Sequence, residues 1–467
     1  MHLFNLLDWE MRGLCQVRYT LAITSCKRHD LLKRTIDSFL SVADILPAST
    51  FIIEDSDAPR PAWLDLPQYK KLGKPGRWMS NEKRRGQIFT LDRLYDALPP
   101  ENPYVFHLED DWEFLRGHGP FLGPSHDILN QFPHVWTVSL RGTECNGHPV
   151  VIENGLPVNM PYWQGGWGGC HFNPGLRRLA DYEKLRSYGH HVGYGAHGCG
   201  TELRLSRMHL DKGFRIAVLG KQERIKHLGT ISRACEPLPP SPNILLAVPA
   251  THAYEYADKT YGIDRPMSGR IEAVRDTWFK DVVPFPNVTA KFFYGDMPGV
   301  NPILPPDSMG LRCPDDYAGL PYKTQEICRY ALRHGYDFLV KGDDDSIIYV
   351  DRLLRSGFDL HEQMGWTCRC LPRNHGTCNC YATGMCYTLS RRAMGLVASA
   401  EIGNNWAEDF WVGNILRQDG IVYARHPGWV SGLAKHYVDF PLPRNTVAAH
   451  SVRPEKMREW YADLEGK

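Results

Sequence analysis

The sequence predicts an α/β protein of two tandem units, each built on a mostly parallel sheet. Three observations predict it: a proline-rich break near the middle of the 467 residues, a strand–helix alternation that restarts after it, and an acidic cluster ending a corresponding strand in each half. The break is Cys235-Glu-Pro-Leu-Pro-Pro-Ser-Pro-Asn243, where four prolines in nine residues exclude a helix and a central strand. It separates residues 1–236 from 244–467, with 237–243 as linker, and each part is long enough to bury its own core.

In the first half, Tyr19–Ser25 (YTLAITS) reads as a buried strand. The helix after it carries Leu31, Leu32, Ile36, Phe39 and Leu40 at helical spacing. Residues 50–53 form a second strand running into Glu54-Asp55-Ser56-Asp57. A helix over 87–97 then precedes the strand 104–108, which ends in Glu109-Asp110-Asp111-Trp112. The second half repeats the order: strand 244–248, helix 269–279, strand 289–294, helix 322–334 and strand 337–341, which ends in Gly342-Asp343-Asp344-Asp345. Alternation of this kind predicts parallel sheets, whose ligands bind at the carboxyl ends of strands, where both acidic clusters fall.

Composition bounds the function. Apolar residues make up 43% and charged residues 23%, which excludes a disordered or fibrous chain. With 54 Lys+Arg against 53 Asp+Glu the net charge is +1, so no broad basic field draws in nucleic acid or an anionic membrane. The opening residues hold one short apolar run broken by Asp8 and Glu10, which suggests neither a signal peptide nor a transmembrane segment. Together with 13 cysteines, an odd number, this leads us to expect reduced thiols, a cytoplasmic protein and a silent sequon at Asn287.

Crowded carboxylates repel unless a cation sits among them. Oxygen ligands select hard ions such as Mg²⁺ or Mn²⁺, which complete their shells with water and phosphate oxygens. A single acidic turn is ordinarily just a solvated turn; these two recur after corresponding apolar strands (YVFHL and DFLV). Such a metal suits chemistry in which a diphosphate departs from a sugar, while a spare carboxylate reaches a ribose or sugar hydroxyl.

The second half carries more specific signals. Arg270-Ile-Glu-Ala-Val-Arg275-Asp-Thr-Trp278, Asp316-Tyr-Ala-Gly-Leu-Pro-Tyr-Lys-Thr324, Lys341-Gly-Asp-Asp-Asp345, Tyr381-Ala-Thr-Gly-Met-Cys-Tyr-Thr-Leu-Ser390 and Glu408-Asp-Phe-Trp-Val-Gly413 follow in order. The series resembles the motifs of the β1,3-glycosyltransferase family of galactosyltransferase and Fringe type. Two positions depart from that pattern, Gly319 for an Asn and Thr383-Gly384-Met385 for a Gly-rich stretch, and both bear on the acceptor pocket. The resemblance implies a GT-A fold, Rossmann-like with a mostly parallel sheet, and inverting transfer from a UDP-sugar. It implies a metal at Asp344 and Asp345, Asp409 as acceptor base beside Glu408, and donor contacts from Arg270, Arg275, Lys323 and Asp343. His436 is a candidate further metal ligand or phosphate contact.

More loosely, the first half is similar to inverting glycosyltransferases of the wider GT-A superfamily. The carriers are Ile23-Thr-Ser-Cys-Lys-Arg28, His107-Leu-Glu-Asp-Asp111, Gly165-Gly-Trp-Gly-Gly169, Gly198-Cys-Gly-Thr-Glu202 and His227. That likeness implies donor contacts from Thr24, Arg28, Asp55 and Asp57, and a metal at Glu109, Asp110 and Asp111 with His227. Where the family has Glu-Asp this chain has Glu202-Leu203, so Glu202 acts as base alone or the half is inactive.

The expected function is therefore a bifunctional, metal-dependent hexosyltransferase using Mn²⁺ or Mg²⁺ and a nucleotide sugar on a glycan or glycoconjugate acceptor. In narrower versions only the second half catalyses and the first binds acceptor, or the acceptor is a hydroxymethylated nucleic-acid base. A nucleotidyltransferase would need a Gly-rich basic loop after the first strand, and residues 24–29 and 249–252 contain no glycine. Other signals stay open. Cys368, Cys370, Cys378 and Cys380 suit zinc, disulfides or free thiols. Lys83-Arg84-Arg85, with Lys70, Lys71 and Lys74 upstream, suits a solvated face or a phosphate patch. Trp112, Trp163, Trp167, Trp366, Trp406 and Trp411 suit sugar stacking or a core.

Overall fold

A first strand, β1 (Tyr19–Ser25), is buried over nearly its whole length and lies at the centre of a sheet. Its side chains alternate: Tyr19, Leu21 and Ile23 pack against helix α1 (His29–Val42), while Ala22 packs on the other face. The computed structural model describes residues 17–143, 148–162, 168–194, 199–229, 241–251, 269–296, 303–367, 381–404, 407–431, 442–443 and 445–465. The chain divides into two units, Met1–Pro239 and Pro240–Lys467.

In unit 1, β1 is joined by β2 (Ser49–Glu54), β3 (Lys74–Ser80), β4 (Tyr104–Glu109) and β9 (Gly175–Arg178) in the order β3-β2-β1-β4-β9. All neighbours are parallel except β4 and β9. Helix α2 (Gln87–Asp96) covers the face opposite α1, with Ile88, Leu91, Leu94 and Tyr95 on Ala22, Ile53 and Val105. Burial on both faces explains why these strands read as continuous apolar runs. Directly after the acidic turn, the short strand β5 (Trp112–Phe114) pairs antiparallel with β11 (Ile225–His227). The remaining strands, β6 (Val135–Ser139), β7 (Val150–Glu153), β8 (Leu156–Asn159) and β10 (Arg215–Val218), form a second sheet. Helix α3 (Leu122–Gln131) lies against β6, and α4 (Leu179–Leu185), α5 (Tyr188–Val192) and α6 (Cys199–Asp211) complete the unit.

Unit 2 repeats the central plan. Strands β12 (Ile244–Pro249), β13 (Val288–Asp296), β14 (Ser308–Pro314), β15 (Phe338–Gly342) and β18 (Ala382–Ser390) take the order β14-β13-β12-β15-β18. Again all are parallel but the last pair. The sheet is extended by β17 (Gln363–Thr367) and β19 (Ala424–Arg425). Here too a short strand after the acidic turn, β16 (Ile347–Ile348), pairs antiparallel with one near the unit's end, β21 (Ala448–His450), which is also parallel to β20 (Trp429–Ser431). Helix α7 (Arg270–Asp276) is shorter than predicted: Thr277, at φ −115° and ψ −118°, leaves the helical region, and a 3₁₀ turn over Trp278–Val282 continues the chain. Helix α8 (Leu320–Arg333) packs with α10 (Arg391–Ser399) and α11 (Glu408–Gln418) on the central strands, and α9 (Val350–Arg355) and α12 (Pro454–Glu465) complete the unit.

The protein is thus a mixed α/β chain with largely parallel central sheets, and no described helix is long and apolar enough to cross a membrane. The Asn287 side chain donates to Pro242 O at 2.8 Å, at the start of β12. His436, the cysteines between 368 and 380, residues 195–198, and Trp163, Trp167 and Trp406 lie outside the described residues.

Candidate active sites

The acidic turns leave the ends of β4 and β15, and each is met by an arginine. In unit 1, Arg28 donates from Nη1 to Asp111 at 2.7 Å and from Nε to Asp110 at 3.3 Å, and its Nη2 also reaches Asp110. In unit 2, Arg270 Nη1 lies 3.1 Å from Asp344 Oδ1 and 3.7 Å from Asp345 Oδ2. The arginine takes the second and third acids of the turn in both cases.

The third acid also meets a histidine. His227 Nε2 lies 3.2 Å from Asp111 Oδ2, and His450 Nε2 lies 3.0 Å from Asp345 Oδ1. Each histidine is the last residue of the strand paired antiparallel to the one after the turn. The contact to Asp111 raises the His227 pKa; at His450 burial works against the charge, but Asp345 and Asp343 outweigh it.

The cluster of unit 2 has the ligands to hold a divalent cation. Asp343, Asp345 and His450 each offer a ligand atom within 4.8 Å of the others, a mixed carboxylate–imidazole set able to ligate a divalent metal ion. Among the described residues, this is the one group of three such ligands. In unit 1, Asp111 Oδ1 is buried without a hydrogen-bond partner among the described residues. Gly229 lines the same spot: a Cβ there would stand 2.6 Å from Asp111 Oδ2 and 3.3 Å from His227 Nε2. His450 was not foreseen; the signal for it was the short apolar run Val447-Ala-Ala ending in His, the counterpart of Ile225-Lys-His227.

A helix carboxylate lies near each cluster: Glu202 acts electrostatically on Glu109, and Asp409 on Lys341. Asp409, near the start of α11, accepts from Gly384 N at 3.0 Å and Phe410 N at 2.8 Å. Glu202, in α6, accepts from Phe172 N at 2.8 Å. Strand register relates these two donors. Lys341 and His107 each lie two residues before the first acid of their turn, and they pair with Tyr387 and Gly175. Gly384 and Phe172 are both three residues before those partners. Glu202 therefore takes the backbone station of Asp409, although by motif it stands in the place of Glu408. Burial raises the pKa of Glu202, as it does that of Glu408.

The surroundings differ between units. Lys341 is fully buried and donates to Asp343 at 2.8 Å and to Gly384 O at 3.0 Å, with Glu408 Oε2 at 3.4 Å. Glu408 also accepts from Tyr387 OH. The counterpart of Lys341 is His107, kept neutral by burial, so Glu109 has no cation of that kind and accepts from Gln87 Nε2 at 2.9 Å instead. Burial first, then Asp111, Glu202 and Asp110, push Glu109 up to about 8. Burial likewise lifts Asp110 and Asp344 to about 6 against their arginines, whereas His227 and Arg28 overcome burial and hold Asp111 low.

Several expected donor contacts have other tasks. Asp55 is buried and accepts from Arg85 N, Gly86 N and Asn81 Nδ2, which fixes the loop entering α2. Asp57 is exposed and pairs with Lys27 at 3.1 Å. Lys323 is buried, its ammonium held by Ala250 O and Asp315 Oδ1. Arg275 pairs with Asp307 at 2.8 Å and lies over the Phe292 ring. Thr24, by contrast, lies at the carboxyl end of β1, in register with Glu109, the first acid of the turn. Trp112 and Trp411 are buried, the first against His227 and the second donating to Glu401 O, so they serve packing rather than an open sugar platform.

No family profile and no curated protein matches the chain. Among solved structures it is similar to S. aureus TarS 1-349, with 10% identity and a TM-score of 0.32 over 44% of this chain and 59% of that one. It is also similar to a structure of S. aureus TarS, with 9% identity and a TM-score of 0.31 over 46% and 37%. The chain spans less than two thirds of either.

Proposed function

We propose that the chain is a bifunctional glycosyltransferase of two GT-A-like units, each moving a sugar from a nucleotide donor, UDP-linked, to a hydroxyl of a glycan-type acceptor with inversion. The supporting observation is that one constellation is built twice: an acidic turn at a strand end, an arginine on its second and third acids, a histidine on the third, and a helix carboxylate at a common backbone station. Asp343, Asp345 and His450 would hold a divalent cation in unit 2, and Asp111 with His227 in unit 1. When bound, that cation neutralises charge on the departing diphosphate.

The chain's own groups do the rest. Asp409 and Glu202 accept the proton of the acceptor hydroxyl as its oxygen attacks the anomeric carbon from the face opposite the leaving group. The backbone N–H groups of Gly384 and Phe172 aim those carboxylates. Lys341, between Asp343 and Glu408, keeps the acids of unit 2 from repelling one another. The test is turnover of UDP- and GDP-sugars by the full chain with Mn²⁺ or EDTA. Turnover of a UDP-sugar should depend on Mn²⁺, fall in part with Asp345→Asn or Asp111→Asn, and vanish with both. Undiminished turnover in the double variant refutes the assignment.

A further inference from the structure

Arg28 and Arg270 reach the same two carboxylates by different routes. Arg28 is the third residue after β1, on the loop that opens α1, whereas Arg270 begins α7, twenty-one residues after β12. Despite these unequal loops, both guanidinium groups lie against the second and third acids of their turns. The third acid is also the one that faces the histidine. A fixed positive charge therefore sits on the carboxylate that a divalent ion must share. A guanidinium cannot lose its proton to make room, so it must stay and repel the ion, or move to another anion. A diphosphate is such an anion, and a planar guanidinium suits its oxygens.

We infer that Arg28 and Arg270 are resident counter-cations that make each site take its divalent ion together with the donor's diphosphate rather than alone. Without nucleotide, the guanidinium balances the second and third acids and disfavours the ion. With nucleotide, it turns part of its hydrogen bonding to the phosphates, and the third acid is released to the metal. Ion and nucleotide then bind synergistically, each raising the other's affinity by the same factor. This inference rests on reading the clusters as cation sites.

The experiment measures Mn²⁺ binding by the full chain, from the electron paramagnetic resonance of free Mn²⁺, with and without UDP. Asp111→Asn leaves unit 2 to be read, and Asp345→Asn leaves unit 1. With the arginines intact, UDP should tighten Mn²⁺ binding at least about tenfold, within the usual range of coupling between sites. Arg270→Gln and Arg28→Gln should tighten Mn²⁺ binding in the absence of UDP by about tenfold and reduce the UDP effect to about twofold. The charge-retaining Arg→Lys variants should keep most of it. Unfolding curves check each variant. Should Arg270→Gln, at a buried position, fail to fold, Arg28→Gln decides, since that side chain is 20% exposed. Mn²⁺ binding that responds to UDP but not to loss of either arginine charge overturns the inference and leaves the cation sites standing. No Mn²⁺ uptake in any variant, with or without UDP, overturns the cation sites and the inference with them.

Discussion

Replacing Glu202 by Gln tests whether unit 1 has a base of its own. The amide is nearly isosteric and can still accept from Phe172 N at 2.8 Å, so the side chain should keep its place. Burial already disfavours charge there, and a neutral group should cost the fold no more than about 1 kcal/mol. What is lost is the ability to take a proton. A positioned general base contributes about 10²- to 10⁴-fold, or about 2.7–5.5 kcal/mol of barrier. The assay is Mn²⁺-dependent UDP-sugar turnover in an Asp409→Asn background, where unit 2 lacks its base. Residual turnover there should come from unit 1, and adding Glu202→Gln should lower it about a hundredfold or more with donor affinity unchanged. Because burial raises the Glu202 pKa, the acid limb of that residual turnover should lie above the ordinary glutamate range and vanish in the double variant. Two results refute the reasoning: Asp409→Asn alone abolishing all turnover, or Glu202→Gln leaving the residual rate intact.

His450→Ala should weaken Mn²⁺ binding by unit 2 at least about tenfold, since even partners outside the first ligand shell are worth 10- to 100-fold; the same titration of free Mn²⁺ checks it. Lys323→Met should leave Asp315 charged and buried, so the expected result is a loss of about 3–5 kcal/mol in denaturant unfolding, with UDP affinity of the folded protein unchanged. At Glu109 burial lifts the folded pKa to about 8 from the ordinary 4.5, so the folded state keeps a proton that the unfolded chain gives up. Stability from this group is complete below about pH 4.5 and declines as pH rises to about 8; Glu109→Gln should flatten that decline in thermal unfolding without metal.

Much of this architecture was legible in the residues. Buried strands such as Tyr19–Ser25 announce themselves by apolar runs, and carboxylates at their ends mark the candidate sites. Asp111 and His227, expected around one ion, do meet, and Arg28, expected at the donor, lies on Asp111 instead. Other features escaped because they depend on tertiary register. His450 sits on a three-residue strand, too short for periodicity to reveal. Lys323 and Asp55 look like ligand contacts in a motif, but one is a buried ammonium and the other ties down a loop, and composition cannot separate a group aimed at a ligand from one aimed at the backbone. The shared station of Glu202 and Asp409 emerges only when strand pairing is counted, since the helix motif puts Glu202 level with Glu408.

The pairing of β5 with β11, and of β16 with β21, places a histidine more than a hundred residues downstream beside the carboxylate it meets. As the chain emerges from the ribosome, each acidic turn is therefore made long before its imidazole partner. A truncated or half-synthesised unit holds the aspartates without that ligand and should capture ions poorly. On the proposed reading of the clusters, ion capture by either half would therefore require its closing β-ribbon to be paired.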